Sequence, residues 1–373
     1  MTNRLMAIII SIAVFVLLLT CNDHINDKGP DGFIPSLDSL MSKVYYHPDS
    51  ITLRLDDLNN SAYYAEANKL LDESNWREFY DSYSFKNVID IRVRIAPALA
   101  YISEHVNDVD ILIINENHAF PYQRRFASQI ALKLYSAGFN HLGLEALCKD
   151  RIISRSQPLC YTDGIYTKEP EFGSFIATAQ SLGYKTFGYE NCESKSGLSR
   201  DEAMVENILS EWNRSDGKLI LYCGWSHSMY KEGWMANIFK NRTNYKILSV
   251  NQTTLNPRMP SKVQDSIRDK ILNGPIIQPS VLLTTDGRPQ TLEATYDLEV
   301  IYPIDSWGPY IGTNSDLDKE DIIRGESQLI YLGWKDYEGS YNNSTCLASP
   351  VMVIDSKSLQ KSKELLRNYF VIQ

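Results

Sequence analysis

Short apolar runs alternate with amphipathic stretches through the middle of this chain, and most of the runs end in an acid or a histidine. Ile111-Leu112-Ile113-Ile114 leads into Asn115-Glu116-Asn117-His118, and His141-Leu142-Gly143-Leu144 stops at Glu145. Lys185-Thr186-Phe187-Gly188-Tyr189 stops at Glu190, and Leu219-Ile220-Leu221-Tyr222-Cys223-Gly224 passes through Trp225-Ser226 to His227. Between these runs, Phe126, Ile130 and Leu134 fall at helical spacing, with Ala127 and Ala131 widening the stripe and Gly138 as its stop. Phe172, Phe175, Ile176, Ala179 and Leu182 repeat the pattern up to Gly183. Ser199, with Glu202 three residues on, has the form of a capping box ahead of Met204, Val205, Ile208, Leu209 and Trp212. A further strand is predicted over 245–252. This alternation predicts an α/β fold, a mainly parallel sheet flanked by helices.

The flanks read differently. Residues 33–109 form a helical N-terminal region, carried by Leu37, Leu40, Met41 and Val44 and then by Val88, Ile91, Ile95, Leu99 and Ile102. The α/β core with the site spans 110–255. Residues 256–373 form a mixed C-terminal extension packed on the core, with strand-like runs at 281–283, 298–302, 329–332 and 351–354 and a closing helix over 358–369. The acidic stretch 316–321 lacks the spacing of a calcium-binding loop. At the start, Arg4 precedes an apolar stretch from Leu5 to Leu19, then Thr20 and Cys21. That pattern predicts a secretory signal over 1–20, and Leu18-Leu19-Thr20-Cys21 resembles a bacterial lipobox whose cysteine is acylated. Residues 21–32, rich in Asn, Asp, Gly and Pro, predict a flexible tether. The expected location is the cell envelope, as an exported lipoprotein held to the membrane by its lipid.

In open α/β sheets the carboxyl ends of the strands share one edge, and ligands bind there. Glu116, His118, Glu145, Glu190 and His227 are therefore expected to converge on one crevice. Glu116 and His118 are two apart in extended backbone and face the same side. The pair suits a general base oriented by a partner, or two ligands of one metal ion. Neighbouring carboxylates raise one another's pKa unless a cation neutralises them, which singles out Arg124 or Arg125 and Arg200. His47 and His105 have no acidic neighbours at ligand spacing and read as structural or exposed.

A net charge of −9 and a pI near 5.3, with no long basic run, argue against a nucleic-acid surface. Beyond Cys21 the cysteines are Cys148, Cys160, Cys192, Cys223 and Cys346, with no Cys-x-x-Cys pair, so a structural zinc site is not expected. Cys148 and Cys160 flank a short loop and suit a disulfide at the oxidising side of a membrane; buried or free thiols are the alternative. The absence of a Gly-x-Ser-x-Gly elbow argues against a serine hydrolase.

Asn115-Glu116-Asn117-His118 followed by Glu145 resembles the Gly-Glu-x-His and following Glu of the erythromycin esterase/ChaN-like superfamily, which includes the TraB/Tiki proteins. Arg200-Asp201 with Met204 resembles that group's Arg-Asp-x-x-Met helix start, and Gly224-Trp225-Ser226-His227 its later Gly-x-x-His. The resemblance covers about residues 110–230, and Asn115 stands where the family usually has Gly. It implies a βαβ-rich fold with these residues in one cleft, but not one reaction. Esterase members imply a hydrolase in which His118, oriented by Glu116, activates water against an ester, lactone or amide carbonyl, with His227 and Arg200 stabilising the oxyanion. Tiki-type members imply a divalent metal ion held by His118, His227 and Glu116. ChaN-type members imply a non-enzymatic surface lipoprotein binding haem or another iron ligand, for which Tyr161, Tyr166, Tyr189 and Tyr222 lie near the expected edge. The expected partner is a small-molecule or peptide substrate.

If the lipobox reading holds, Cys21 is the first residue of the mature protein. Intact-mass analysis of protein from its native membrane is expected to show residues 1–20 removed and acyl mass added; an unprocessed N-terminus would refute it.

Overall fold

The computed structural model describes Ala67, Leu70 and residues 92–303, apart from 155–156, 165, 193–197 and 256–261, together with 329–334, 352–355 and 369–371. The lipobox, the tether, the helical stripes at 37–44 and 88–91, and the closing helix lie outside the described residues. Among the described residues no helix is long and apolar enough to cross a membrane.

The elements, in chain order, are β1 (Arg94–Pro97), α1 (Ala98–His105), β2 (Ile111–Glu116), α2 (Tyr122–Leu134), β3 (Phe139–Cys148), β4 (Ile152–Ile153), α3 (Pro170–Leu182), β5 (Lys185–Glu190), α4 (Arg200–Glu211), β6 (Lys218–Gly224), α5 (Met235–Arg242), β7 (Ile247–Asn251), α6 (Lys262–Lys270), β8 (Ser280–Leu283) and β9 (Leu298–Ile301). All nine strands join one sheet in the order β1-β8-β9-β7-β2-β6-β3-β5-β4. The run from β9 to β5 is parallel, and the remaining pairings are antiparallel. A second, antiparallel sheet has the order β11-β10-β12, from β10 (Leu329–Trp334), β11 (Met352–Asp355) and β12 (Tyr369–Val371).

Every residue of β2 is buried. That is the signature of a parallel strand covered on both faces, and it explains an unbroken apolar run in place of alternation. On one side, Met204, Val205 and Ile208 of α4, with Trp212 at its end, and Phe239 of α5 pack against Ile111, Ile113, Leu219 and Leu221. The helices start and stop by local chemistry. Ser199 and Glu202 form both bonds of the capping box, and Gly183, at φ 98°, takes the left-handed turn that ends α3.

Three expectations are corrected. Ile95 continues a helical periodicity in sequence, yet Arg94–Pro97 is strand and the helix begins only at Ala98. The partner of β1 is the distant β8, which local periodicity does not register. The Asn273 side chain both accepts from Ile95 N at 2.9 Å and donates to Ile95 O at 2.8 Å, closing the outer edge of β1 that a bare strand would leave open. The core also does not end at residue 255, because β8 and β9 complete the same sheet. Finally, Cys148 is bonded to Cys192 and not to Cys160. The pairing follows from sheet register: Cys148 at the end of β3 lies opposite Glu190 at the end of β5, and Cys192 follows two residues later. Cys160 is disulfide-bonded as well, and Cys223 is a buried free thiol.

The bond closes a loop with a sequence separation of 44, and chain-entropy arguments put its contribution at about 2–4 kcal/mol. Replacing Cys148 and Cys192 together by Ser is expected to lower the denaturant-derived stability by that amount. Peptide mapping without reductant is expected to recover the 148–192 crosslink, and a 148–160 crosslink would overturn the assignment.

Candidate active site

The deepest part of the site is a carboxylate held by an arginine. Glu116 ends β2, the chain turns at Asn117, whose side chain accepts from Ala119 N at 3.1 Å, and α2 then carries Arg124 back over the strand end. Arg124 Nε donates to Glu116 Oε2 at 2.7 Å and Nη2 to Oε1 at 2.8 Å, a two-pronged fork with both side chains buried. Its third prong, Nη1, donates to Glu169 Oε2 at 2.8 Å. Glu169 caps α3, accepting from Glu171 N and Phe172 N, so one guanidinium ties strand β2 to the start of α3. Tyr222 Oη also donates to Glu116, 2.6 Å from Oε2. Burial by itself would raise the Glu116 carboxyl, but the charge of Arg124 and the hydrogen bonds of His118 and Arg124 hold it well below the usual carboxylate range. Removing one partner of such a buried pair costs about 3–5 kcal/mol, since the survivor keeps an uncompensated charge.

His118 rests on this foundation. Its Nδ1 lies 2.8 Å from Glu116 Oε1. An ionised carboxylate can only accept, so Nδ1 carries the proton. The ring stacks on Tyr166 with centroids 4.4 Å apart, and the Arg124 guanidinium lies over the same tyrosine ring at 4.7 Å. Nε2 therefore points away from the carboxylate, towards Gly224 at the end of β6. A Cβ on Gly224 would stand 2.9 Å from that Nε2 and 3.3 Å from Glu145 Oε2. The glycine is thus a requirement of close approach. The His118 side chain remains 36% exposed.

Across Gly224 lies a second, charged half. Glu145, on β3, accepts from Gly224 N and from Arg200 Nη2 at 2.6 Å. Arg200, at the first position of α4, also grips Glu190 at the end of β5 through Nη2 at 2.5 Å and Nε at 3.2 Å. Those hydrogen bonds to Glu190, with the charges of Glu145 and Glu190, raise its pKa further. His227 Nε2 is 3.3 Å from Glu145 Oε1 and 3.2 Å from Arg200 Nη1. His227 Nδ1 donates to Asp201 Oδ1 at 2.7 Å, an oxygen that also accepts from Met235 N at 2.8 Å, at the first position of α5. Burial would favour the neutral imidazole, but hydrogen bonds to Asp201 and Glu145 and the charges of both push it up to about 9. Burial likewise works against the Glu145 carboxylate, and the hydrogen bond and charge of His227 outweigh it, bringing Glu145 down to about 2.

The structure thus places Glu116, His118, Glu145, Glu190, Arg200 and His227 at the carboxyl ends of β2, β3, β5 and β6 and the segments that follow them. Arg124 neutralises Glu116, whereas Arg125 pairs with Glu171 at 3.1 Å. Sequence reasoning overlooked Asp201 and Glu169 as site residues. Asp201 was visible as an acid beside Arg200 in a first helical turn, and Glu169 as a cap ahead of Pro170 at a helix start. Asn115, where the resembling family usually has Gly, joins neighbouring segments. Its Nδ2 donates to Trp225 O and Asn251 Oδ1, both at 2.9 Å, and its Oδ1 accepts from Gln252 N.

The metal set His118, His227 and Glu116 does not fit this geometry. Both Glu116 oxygens are taken by Arg124, Tyr222 and His118, and among the described residues no group of three or more His, Cys, Asp or Glu is disposed to hold a metal ion. Two of the tyrosines considered for haem are also committed. Tyr189 Oη donates to Tyr222 O at 2.9 Å, Tyr222 Oη serves Glu116, and burial pushes both phenols well up.

No family model and no curated protein matches the chain. Among solved structures it is similar to the type III effector HopBA1, at 12% identity over 58% of this chain and 98% of that one, with a TM-score of 0.36. It is also similar to ChaN of Campylobacter jejuni, solved with cofacial haem binding, at 12% identity over 57% and 98% of the two chains and a TM-score of 0.35. A third is RRSP, a MARTX toxin effector domain from Vibrio vulnificus CMCP6, at 18% identity over 35% and 32% and a TM-score of 0.26. Likenesses this distant leave function to be read from the site itself.

His227 also ties stability to pH. Its folded pKa, about 9, lies above the ordinary value of 6.5. The contribution is therefore full below about pH 6.5 and is lost as pH rises through about 9. The stability difference between wild type and His227→Gln is expected to shrink over that window in thermal unfolding followed against pH; a difference constant from pH 6 to 10 would contradict the pairing with Asp201 and Glu145.

Proposed function

We propose that this chain is a cell-envelope hydrolase, tethered through Cys21, that activates water against an ester, lactone or amide carbonyl of a small-molecule or peptide substrate. The observation that carries the reading is the placement of His118. One ring nitrogen is committed to a carboxylate that is itself immobilised by Arg124 and Tyr222, and the other is presented at a partly open cleft beside Gly224. A histidine so fixed has a defined tautomer and a free lone pair on Nε2, which are the requirements of a general base. As water adds, negative charge develops on the carbonyl oxygen. Arg200 and the protonated His227 supply the opposing positive charge, held in place before the reaction by Glu145 and Asp201. Glu145 and Glu190 orient Arg200.

Lipidation at Cys21 and the envelope location rest on the sequence signature of the first residues. The haem-binding alternative is tested alongside hydrolysis. Against a panel of esters, lactones and peptides, His118→Ala is expected to reduce kcat by at least ~10²-fold with the fold intact, since the side chain is 36% exposed and sits at the edge of the core. Glu116→Gln lowers activity too, but leaves Arg124 buried opposite Glu169 alone and so also lowers stability. A protein that hydrolyses nothing in the panel and binds haem tightly in an absorbance titration would overturn the hydrolase reading.

A further inference from the structure

The site holds two imidazole–carboxylate pairs, and they are not equivalent. In each, Nδ1 donates to a carboxylate, at 2.8 Å for His118–Glu116 and 2.7 Å for His227–Asp201. His118 Nε2 faces Gly224, and His227 Nε2 lies 3.3 Å from Oε1 of Glu145, whose Oε2 accepts from Gly224 N. The difference lies in what else binds the carboxylates. The charge of Glu116 is already answered by the Arg124 fork. Among the described residues, Asp201 Oδ1 is met by His227 and the backbone Met235 N–H, and His227 faces a second carboxylate, Glu145, at the far side of its ring. The groups facing His227 are thus two carboxylates, one guanidinium and the edge of the Trp234 ring, whose centroid is 5.5 Å away. The second carboxylate facing His227 favours its protonated form, so His227 is the imidazole that arrives carrying a proton.

We infer that His227 is the general acid of the reaction, donating its Nε2 proton to the departing oxygen or nitrogen, and that the substrates are carbonyl compounds with basic leaving groups, alkyl esters, lactones or amides. This inference rests on the hydrolase reading above. The neighbours of Nε2 pull in opposite directions, since Glu145 attracts the protonated form and Arg200, a cation that can only donate, favours release of the proton. Protonated, Nε2 donates to Glu145 Oε1 at 3.3 Å. Once the proton has gone, the bare nitrogen accepts from Arg200 Nη1, which already stands at 3.2 Å. A side chain placed only to supply positive charge would not need a donor waiting at the same nitrogen. Its pKa, pushed up to about 9, keeps it protonated at neutral pH.

The step balances without any further reagent. His118 Nε2 removes a proton from water as the new C–O bond forms, and the carbonyl π electrons move to oxygen. The tetrahedral intermediate then re-forms the C=O bond and breaks the bond to the leaving group, which takes the His227 proton. His118 ends protonated and His227 neutral, and exchange with solvent restores both. Alkoxides and amines leave poorly without that proton, whereas an activated phenolate leaves unaided. An acid is therefore needed only for the first class.

The test compares p-nitrophenyl esters with alkyl esters or amides of the same acyl groups, using the full-length protein and its His118→Ala, His227→Gln and Asp201→Asn variants. His227→Gln is expected to lose at least ~10-fold more in kcat/KM on the alkyl ester than on the p-nitrophenyl ester, the loss common to both being that of its charge at the oxyanion. Asp201→Asn is expected to lower the alkaline pKa of the alkyl-ester pH profile from about 9, and to reduce the alkyl-ester rate more than the p-nitrophenyl-ester rate. Equal losses on both substrates in His227→Gln would overturn the general-acid role and leave His227 as a charge only. Should that variant fail to fold, the Asp201→Asn profile decides: an unmoved alkaline limb overturns the inference. Failure of the underlying reading looks different, because wild type then hydrolyses neither substrate or His118→Ala has no effect.

Discussion

The rest of the site depends on the buried fork between Arg124 and Glu116. Two charges removed from water are costly, and this pair survives because both Glu116 oxygens are doubly satisfied, by two prongs of Arg124 with His118 on Oε1 and Tyr222 on Oε2, while a third prong reaches Glu169. Position follows from satisfaction. A carboxylate with all its donors in place cannot swing, so the imidazole hydrogen-bonded to it cannot swing either. The same guanidinium reaches the cap of α3, so the helix start, the strand end and the Tyr166 ring share one anchor. A buried ion pair adds little net stability, and its use here is in specifying geometry.

The second half of the site is built on a different principle. Arg200 is half-exposed, with its side chain 54% accessible, and is held by Glu145 and Glu190 from two neighbouring strands. The Cys148–Cys192 disulfide joins the ends of those same strands, three residues beyond Glu145 and two beyond Glu190. A covalent tie at this point limits how far the two carboxylates can separate, and so fixes the Arg200 guanidinium against His227. The inner half thus relies on burial and hydrogen bonding, and the outer half on a crosslink and ion pairs shared with solvent.

Much of the fold was legible in the chain because its signals are local. The β2 run, the capping box at Ser199 and the glycine stop at Gly183 depend on residues within a few positions of one another, and the structure has each of them. The association of acids and histidines with strand ends followed from the same pattern, since a parallel sheet puts all its carboxyl ends on one edge. Other features were out of reach for the opposite reason. Strand β1 owes its form to β8 and to Asn273, and a helical periodicity through Ile95 carries no information about either.

The amino-acid order by itself determined which residues stand at the strand ends, and therefore the chemical inventory of the cleft: three glutamates, two histidines and an arginine at a helix start. Only the tertiary structure decided which of them answer to one another. Arg124 rather than Arg125 meets Glu116 because consecutive helical residues point about 100° apart, so Arg124 is turned to the strand end while Arg125 faces Glu171. Cys148 meets Cys192 because β3 and β5 are adjacent in register. Asp201 reaches His227 because α4 and the segment after β6 converge at the start of α5. Pairing is a property of distance and direction in three dimensions, and charge at a few ångströms decides protonation, so the identity of base and acid resides in the packing of elements remote in sequence.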